Sequence, residues 1–195
     1  MISLAPMSSS NIPVVDFQDW TAGPEGRARV VKTVGESLAD IGFFAVRNHG
    51  IAEATTQAAY HASKRFFALP PEAKQRYTRP GVKGQRGYTG FGTEHAKDSQ
   101  APDLKEFWQV GRTNVADDHP VHKAFGPNFW PDADVPEFRA VMTALYEQLD
   151  ALGAALLEAA AEHLGEKPSL FRDMATGSDT IVRVLYYPPV PKAIP

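Results

Sequence analysis

Asp40-Ile41-Gly42-Phe43-Phe44-Ala45-Val46-Arg47-Asn48-His49-Gly50-Ile51 sets a helix stop, a hydrophobic strand and a tight turn side by side. Gly42 is the residue type that closes a helix, Phe43 to Val46 reads as a buried strand, and Asn48-His49-Gly50 supplies the turn. Upstream, Val31, Val34, Leu38 and Ile41 recur at spacings of three and four, so Arg27 to Ile41 reads as an amphipathic helix. Gly23-Pro24 puts a proline where such a helix can begin, and the β-branched and aromatic run Ile12 to Phe17 before it reads as a strand. Downstream, Glu53 to about Ala68 reads as a second helix with Ala58, Ala62 and Phe66 facing inward, stopped by Pro70-Pro71.

Further along, glycines at 81, 84, 87, 90 and 92 interleave with Arg86, Tyr88 and Phe91, the composition of a turn-rich loop. Lys105 to Val110 reads as a strand carrying Phe107 and Trp108, and Asp117 to Trp130 as a proline-broken connection. Pro136 opens the longest element, in which Phe138, Val141, Leu145, Leu149, Leu152, Leu156 and Ala159 keep a three/four alternation up to Gly165. That predicts a helix of roughly 28 residues and about 42 Å. Thr180 to Tyr187 reads as a strand with Ile181, Arg183, Leu185 and Tyr187 on one face, ended by Pro188-Pro189.

The 195 residues suffice for one ordinary domain, and 43% hydrophobic with 22% charged residues falls in the soluble globular range. A net charge of −3 supplies no basic excess for nucleic acid, and no window approaches the ~18 uninterrupted apolar residues of a membrane helix. The absence of cysteine removes disulfides, thiolate metal sites and thiol catalysis, and fits a cytoplasmic location. Residues 1 to 11 read as a disordered lead-in rather than a secretion signal.

The glycine loop invites a phosphate-cradle reading but carries neither G-x-G-x-x-G nor a Walker lysine, which favours a tightly turned surface loop or a substrate lid. Asp117, Asp118, His119 and His122 have possible metal-ligand spacing, but Pro120 between them favours a solvated loop. The long helix either packs on its own domain's core or dimerises as a coiled coil over residues 136–164. If the face of Arg183 is interior, its guanidinium needs an acid, either a ligand's or the chain's own.

Several blocks, taken in order, resemble one family. Ile12-Pro13-Val14-Val15-Asp16-Phe17, then Asp40 to Phe44 with Asn48-His49-Gly50-Ile51, then Phe66-Phe67-Ala68-Leu69-Pro70 resemble the amino-terminal region of the isopenicillin N synthase-like 2-oxoglutarate/iron(II) oxygenases. Gly87-Tyr88-Thr89-Gly90, Lys105-Glu106-Phe107-Trp108 and Arg183-Val184-Leu185-Tyr186-Tyr187-Pro188 extend the resemblance over nearly the whole chain. It implies an α+β fold, with helices packed on a distorted double-stranded β-helix, or jelly-roll. Residues 12–195 would hold the helical part and first strands of a single domain. It also implies Fe(II) and 2-oxoglutarate as cofactors, and molecular oxygen and a small organic molecule as substrates. The outcome would be hydroxylation, desaturation or ring closure.

Family members hold iron through a His-x-Asp pair and a distant second His, which leaves positions open for the oxoacid and oxygen. None of the histidines at 49, 61, 95, 119, 122 and 163 is followed two residues later by Asp or Glu, so no metal ligand or catalytic residue is assigned. The expectation is a partial chain, inactive and poorly soluble alone. By resemblance His49 is a structural turn residue, Tyr187 and Arg183 face 2-oxoglutarate, and Arg86 and Tyr88 line the substrate entrance. Leu185 stands where many plant members have asparagine. The rival reading is a non-catalytic module dimerising through residues 136–164.

Overall fold

A computed structural model describes residues 12–82, 84–94, 103–113 and 115–189; the lead-in at residues 1 to 11 lies outside them. Two compact units interleave along the chain. Of the described residues, those in 12–50 and 151–174 form the first, and those in 51–150 and 175–189 the second.

In the first unit β1 (Val14–Asp16) pairs in parallel with β2 (Ala45–Arg47), in the register Val14 to Ala45. A 3-10 turn (Phe17–Thr21) and α1 (Pro24–Asp40) connect them. Pro24 opens α1 as expected, since a first-turn residue needs no amide donor. Val15, Val30, Val34 and Ala159 form the core. The inward stripe of α1 is therefore shifted from the expected one. Val30, Val34 and Ser37 are buried, whereas Leu38 is 46% exposed. Gly35 shows why: a Cβ there would overlap the His163 imidazole, so this helix face is the one packed closely. The expected buried strand from Phe43 to Val46 is also corrected. In a two-stranded sheet covered on one face, alternate residues point outward, and Phe43 is 54% exposed while Phe44 and Val46 pack inward.

The Asn48-His49-Gly50 turn forms as read, with Asn48 at φ 51° and Gly50 at φ 77°. Asp16 anchors it, accepting from Asn48 Nδ2 and Arg47 Nε, each at 2.9 Å. These bonds, Asn48's foremost, hold the Asp16 carboxyl below the usual carboxylate range.

In the second unit α2 (Glu53–Phe67) and α3 (Pro71–Gln75) precede an antiparallel sheet of order β3-β4-β5: β3 (Gly87–Thr89), β4 (Glu106–Val110) and β5 (Val182–Tyr186). Phe66 on α2 meets Trp108 on β4 at 4.8 Å between ring centroids, and Trp108 meets Phe138 at 5.1 Å. Each such buried aromatic stabilises the fold by roughly 1.5–3 kcal/mol. Ala59, rather than the expected Ala58, shares the inner face of α2 with Ala62 and Phe66.

Part of the expected glycine loop is a strand. Gly87 at φ +75° passes under the Phe129 ring, and a Cβ there would lie 2.8 Å from the Tyr77 carbonyl, so only glycine lets β3 pair with β4 here. A short helix, α4 (Pro120–Phe125), interrupts the expected connection. The long helix α5 (Phe138–His163) runs 26 residues. Phe138, Met142 and Tyr146 belong to the core of the second unit, and Ala159 to that of the first. Of the stripe, Phe138, Val141, Leu145, Leu156 and Ala159 pack into these cores, in line with the core-packing reading. The α+β class also stands, on a two-stranded and a three-stranded sheet.

Candidate functional site

The β3-β4-β5 sheet has two chemically distinct faces. Register pairs Tyr88 with Trp108 and Trp108 with Val184, which join the aromatic core. Alternation sends Thr89, Phe107, Gln109, Arg183 and Leu185 to the other face.

On that second face Arg183 Nε donates to Gln109 Oε1 at 2.6 Å, and its guanidinium lies 4.4 Å from the Phe107 ring centroid. Its Nη1 is 3.6 Å from Glu94. The sequence left open whether a ligand or the chain supplies the acid for Arg183; in this structure the chain does. The pair stays accessible, because the Arg183 side chain is 35% exposed and that of Glu94 38%. Glu94 also pairs with Lys105 at 3.1 Å, and Lys105 with Asp103 at 2.7 Å. Those two carboxylates, Asp103 first, raise the Lys105 ammonium above its ordinary value. Tyr187 follows β5 in the same alternation and is 66% exposed. Beside this network a cavity of about 430 Å³ opens among Gln75, Thr78, Arg79, Thr89, Glu94 and Phe107.

The core side of the sheet holds charge as well. Lys74 on α3 donates to both Glu106 oxygens, at 2.7 and 2.8 Å, and to the Phe67 carbonyl at 3.1 Å. Tyr88 also donates to Glu106. Burial first, and the neighbouring carboxylate second, push the Tyr88 phenol well above its usual range. Tyr88 borders the cavity, yet its hydroxyl is committed to Glu106. Arg86 is 1% exposed and forks onto Asp179 through Nη1 at 3.2 Å and Nη2 at 2.6 Å. Its Nε is buried with no hydrogen-bond partner among the described residues. A substrate contact by either polar group would require opening a buried pair.

The sequence reading missed Lys74, Glu106 and Asp179. Glu106 could have been found, because a carboxylate preceding Phe107-Trp108 in an apolar strand must meet a donor if buried. Also missed was Arg112, which donates to the Ser178 carbonyl at 2.7 Å and pairs with Asp150 at 3.2 Å, tying down the segment before β5.

The possible metal cluster is used otherwise. His119 caps α4, its Nδ1 accepting from Val121 N at 3.2 Å, and His122 Nδ1 lies 3.2 Å from the Asp117 carbonyl oxygen. Among the described residues no group of three His, Asp or Glu could hold a metal ion, so they do not fit iron.

Residues 12–133, more than half the chain, match the family described as non-haem dioxygenase in morphine synthesis, N-terminal. The chain belongs to this non-haem dioxygenase family. Among its relatives are the 2-oxoglutarate-dependent dioxygenase traH of Penicillium crustosum, 32% identical over 91% of this chain and 56% of its own length, and the validamycin A dioxygenase of Streptomyces hygroscopicus subsp. limoneus, 29% identical over 92% and 50%. This dioxygenase-family chain thus spans about half the length of the curated relatives it matches. A solved Caulobacter crescentus protein assigned to the 2OG-Fe(II) oxygenase family superposes with TM-score 0.83 at 34% identity, covering 94% of this chain and 58% of that one. A full-length Neurospora crassa protein solved in complex with alpha-KG and thymine gives 0.76 at 27% identity, over 91% and 55%.

Proposed function

We propose that the protein is a non-haem iron(II), 2-oxoglutarate-dependent oxygenase that hydroxylates, desaturates or cyclises a small organic substrate with molecular oxygen, in the cytoplasm. On this reading the described residues are the amino-terminal region of a single jelly-roll domain, and the iron ligands come from sequence outside these 195 residues. The observation that carries it is the superposition at TM-score 0.83 over 94% of the chain.

The face of β4 and β5 bearing Gln109, Arg183 and Tyr187 would turn toward the cofactors. When bound, iron and 2-oxoglutarate supply the oxidising power. Arg183 offers a cation to an oxoacid carboxylate, Tyr187 a hydroxyl donor, and Gln109 fixes the guanidinium plane. Arg86 and Tyr88 act from beneath, as supports of β3. The non-catalytic dimer reading loses ground, because most of the α5 stripe that it requires packs on the chain's own cores.

The test is succinate release by the protein expressed from its complete reading frame, given Fe(II), 2-oxoglutarate and oxygen. Succinate formation that requires all three is expected. An intact, folded protein that binds 2-oxoglutarate yet never consumes it, alone or with a broad panel of small molecules, would overturn the proposal.

A further inference from the structure

Arg79 stands apart from the other arginines near the sheet. Arg76, Arg86, Arg112 and Arg183 each reach a carboxylate. Arg79 lies over the Phe129 ring at 4.4 Å and, among the described residues, hydrogen-bonds only the Pro127 carbonyl oxygen, at 3.5 Å. Among the described residues it forms no ion pair with a carboxylate, although it is half-buried and lines the cavity of about 430 Å³.

A partly desolvated cation without a counter-ion is costly unless something anionic arrives. Around the same cavity the other charges are matched, since Glu94 and Asp103 answer Lys105 and Arg183. Among the described residues the surplus at this cavity is the single charge of Arg79, which a monoanion cancels. Stacking on Phe129 fixes the guanidinium plane, so a planar carboxylate can be held with little further loss of freedom. Phe107, covered by Arg183 and 1% exposed, closes the cavity floor with an apolar edge. The Thr78 hydroxyl donates to Gln75 Oε1 at 3.3 Å, which leaves its lone pairs to accept from a hydroxyl or amide. A volume of this size falls in the usual range of about 300–1,000 Å³ for small-molecule sites.

We propose that this cavity binds the organic substrate, that Arg79 holds its acidic group, and that the substrate is therefore a small carboxylic acid. Its role as substrate rests on the oxygenase reading; its binding does not. Specificity is thus set at the α3-to-β3 connection, by a residue outside the sheet face that would serve the cofactors.

The experiment uses the protein from its complete reading frame and matched pairs of an acid and its amide, phenylacetate with phenylacetamide and cinnamate with cinnamamide, titrated by ligand-observed NMR. The acids should bind at least about 10-fold more tightly than the amides. Arg79→Gln should erase that preference, Arg79→Lys should keep part of it, and Arg139→Gln, which removes an exposed arginine elsewhere, should leave it intact. Melting temperatures establish that each variant is folded. Equal binding of acid and amide, no binding by either member of any pair, or loss of the preference in Arg139→Gln as well would overturn the proposal. Acid binding that depends on Arg79 in a protein that never consumes 2-oxoglutarate would sink the oxygenase reading and leave this site standing.

Discussion

Replacing Lys74 by Met keeps the length of the side chain and removes its charge. The native ammonium makes three hydrogen bonds and is 10% exposed, opposite a Glu106 that is 5% exposed. In the variant the Glu106 carboxylate keeps the Tyr88 hydroxyl and loses its counter-ion, while the Phe67 carbonyl loses its side-chain donor. Removing one partner of a buried pair costs about 3–5 kcal/mol, because the other charge is stranded. For a protein of this size that lowers the midpoint of thermal unfolding by about 6–20 °C. The decisive comparison is the double variant Lys74→Met/Glu106→Gln, which keeps a hydrogen-bond partner for Tyr88 without a buried charge. Urea unfolding should show it recovering more than half of the loss. A cost below about 1 kcal/mol in the single variant, or simple additivity of the two substitutions, would refute the argument that Glu106 is stranded.

Gly111→Ala should behave like the loss of an ion pair, since the new Cβ overlaps the Arg86 guanidinium and drives it off Asp179; a drop of about 3–5 kcal/mol is expected in urea unfolding. Tyr77 donates to Asp134 at 2.5 Å, and burial together with that carboxylate pushes the phenol from 10.0 up to about 12. Its stabilising contribution is fully present below pH 10 and is lost as the pH rises through about 12, so the unfolding midpoint of Tyr77→Phe should vary less than the parent's across that window. The same hydrogen bond is the main cause of the lowered Asp134 carboxyl. The parent should therefore also lose more stability than the variant as the pH falls from 3.8 through the native Asp134 value, measured by the same unfolding midpoints.

Much of the fold could be read directly. The helices at Pro24, Glu53 and Phe138 begin within about two residues of where periodicity and proline placed them. What escaped was rotational phase. Val30 rather than Val31, and Ala59 rather than Ala58, point fully inward, because close approach at Gly35 and the bulk of Phe66 and Phe67 decide the buried face. Gly87 suggests a turn by residue type, whereas its lack of a side chain serves a crowded strand. At the site, alternation along β5 correctly grouped Arg183 with Leu185. Burial of Arg86 by Asp179, 93 residues away, could not be seen from local spacing. Arg79 carries no motif, and its lack of a carboxylate partner among the described residues becomes visible only once the described charges around it are paired.

Gln109 holds two elements with one amide: its oxygen receives Arg183, and its nitrogen donates to the Gly84 carbonyl. A carboxylate at this position would lose the donor, and an asparagine would be too short to span both contacts. The orientation of the strand-borne guanidinium and the path of the backbone at residue 84 are therefore locked to a single torsion. Substitutions at positions 109 and 183 should therefore be energetically coupled rather than additive.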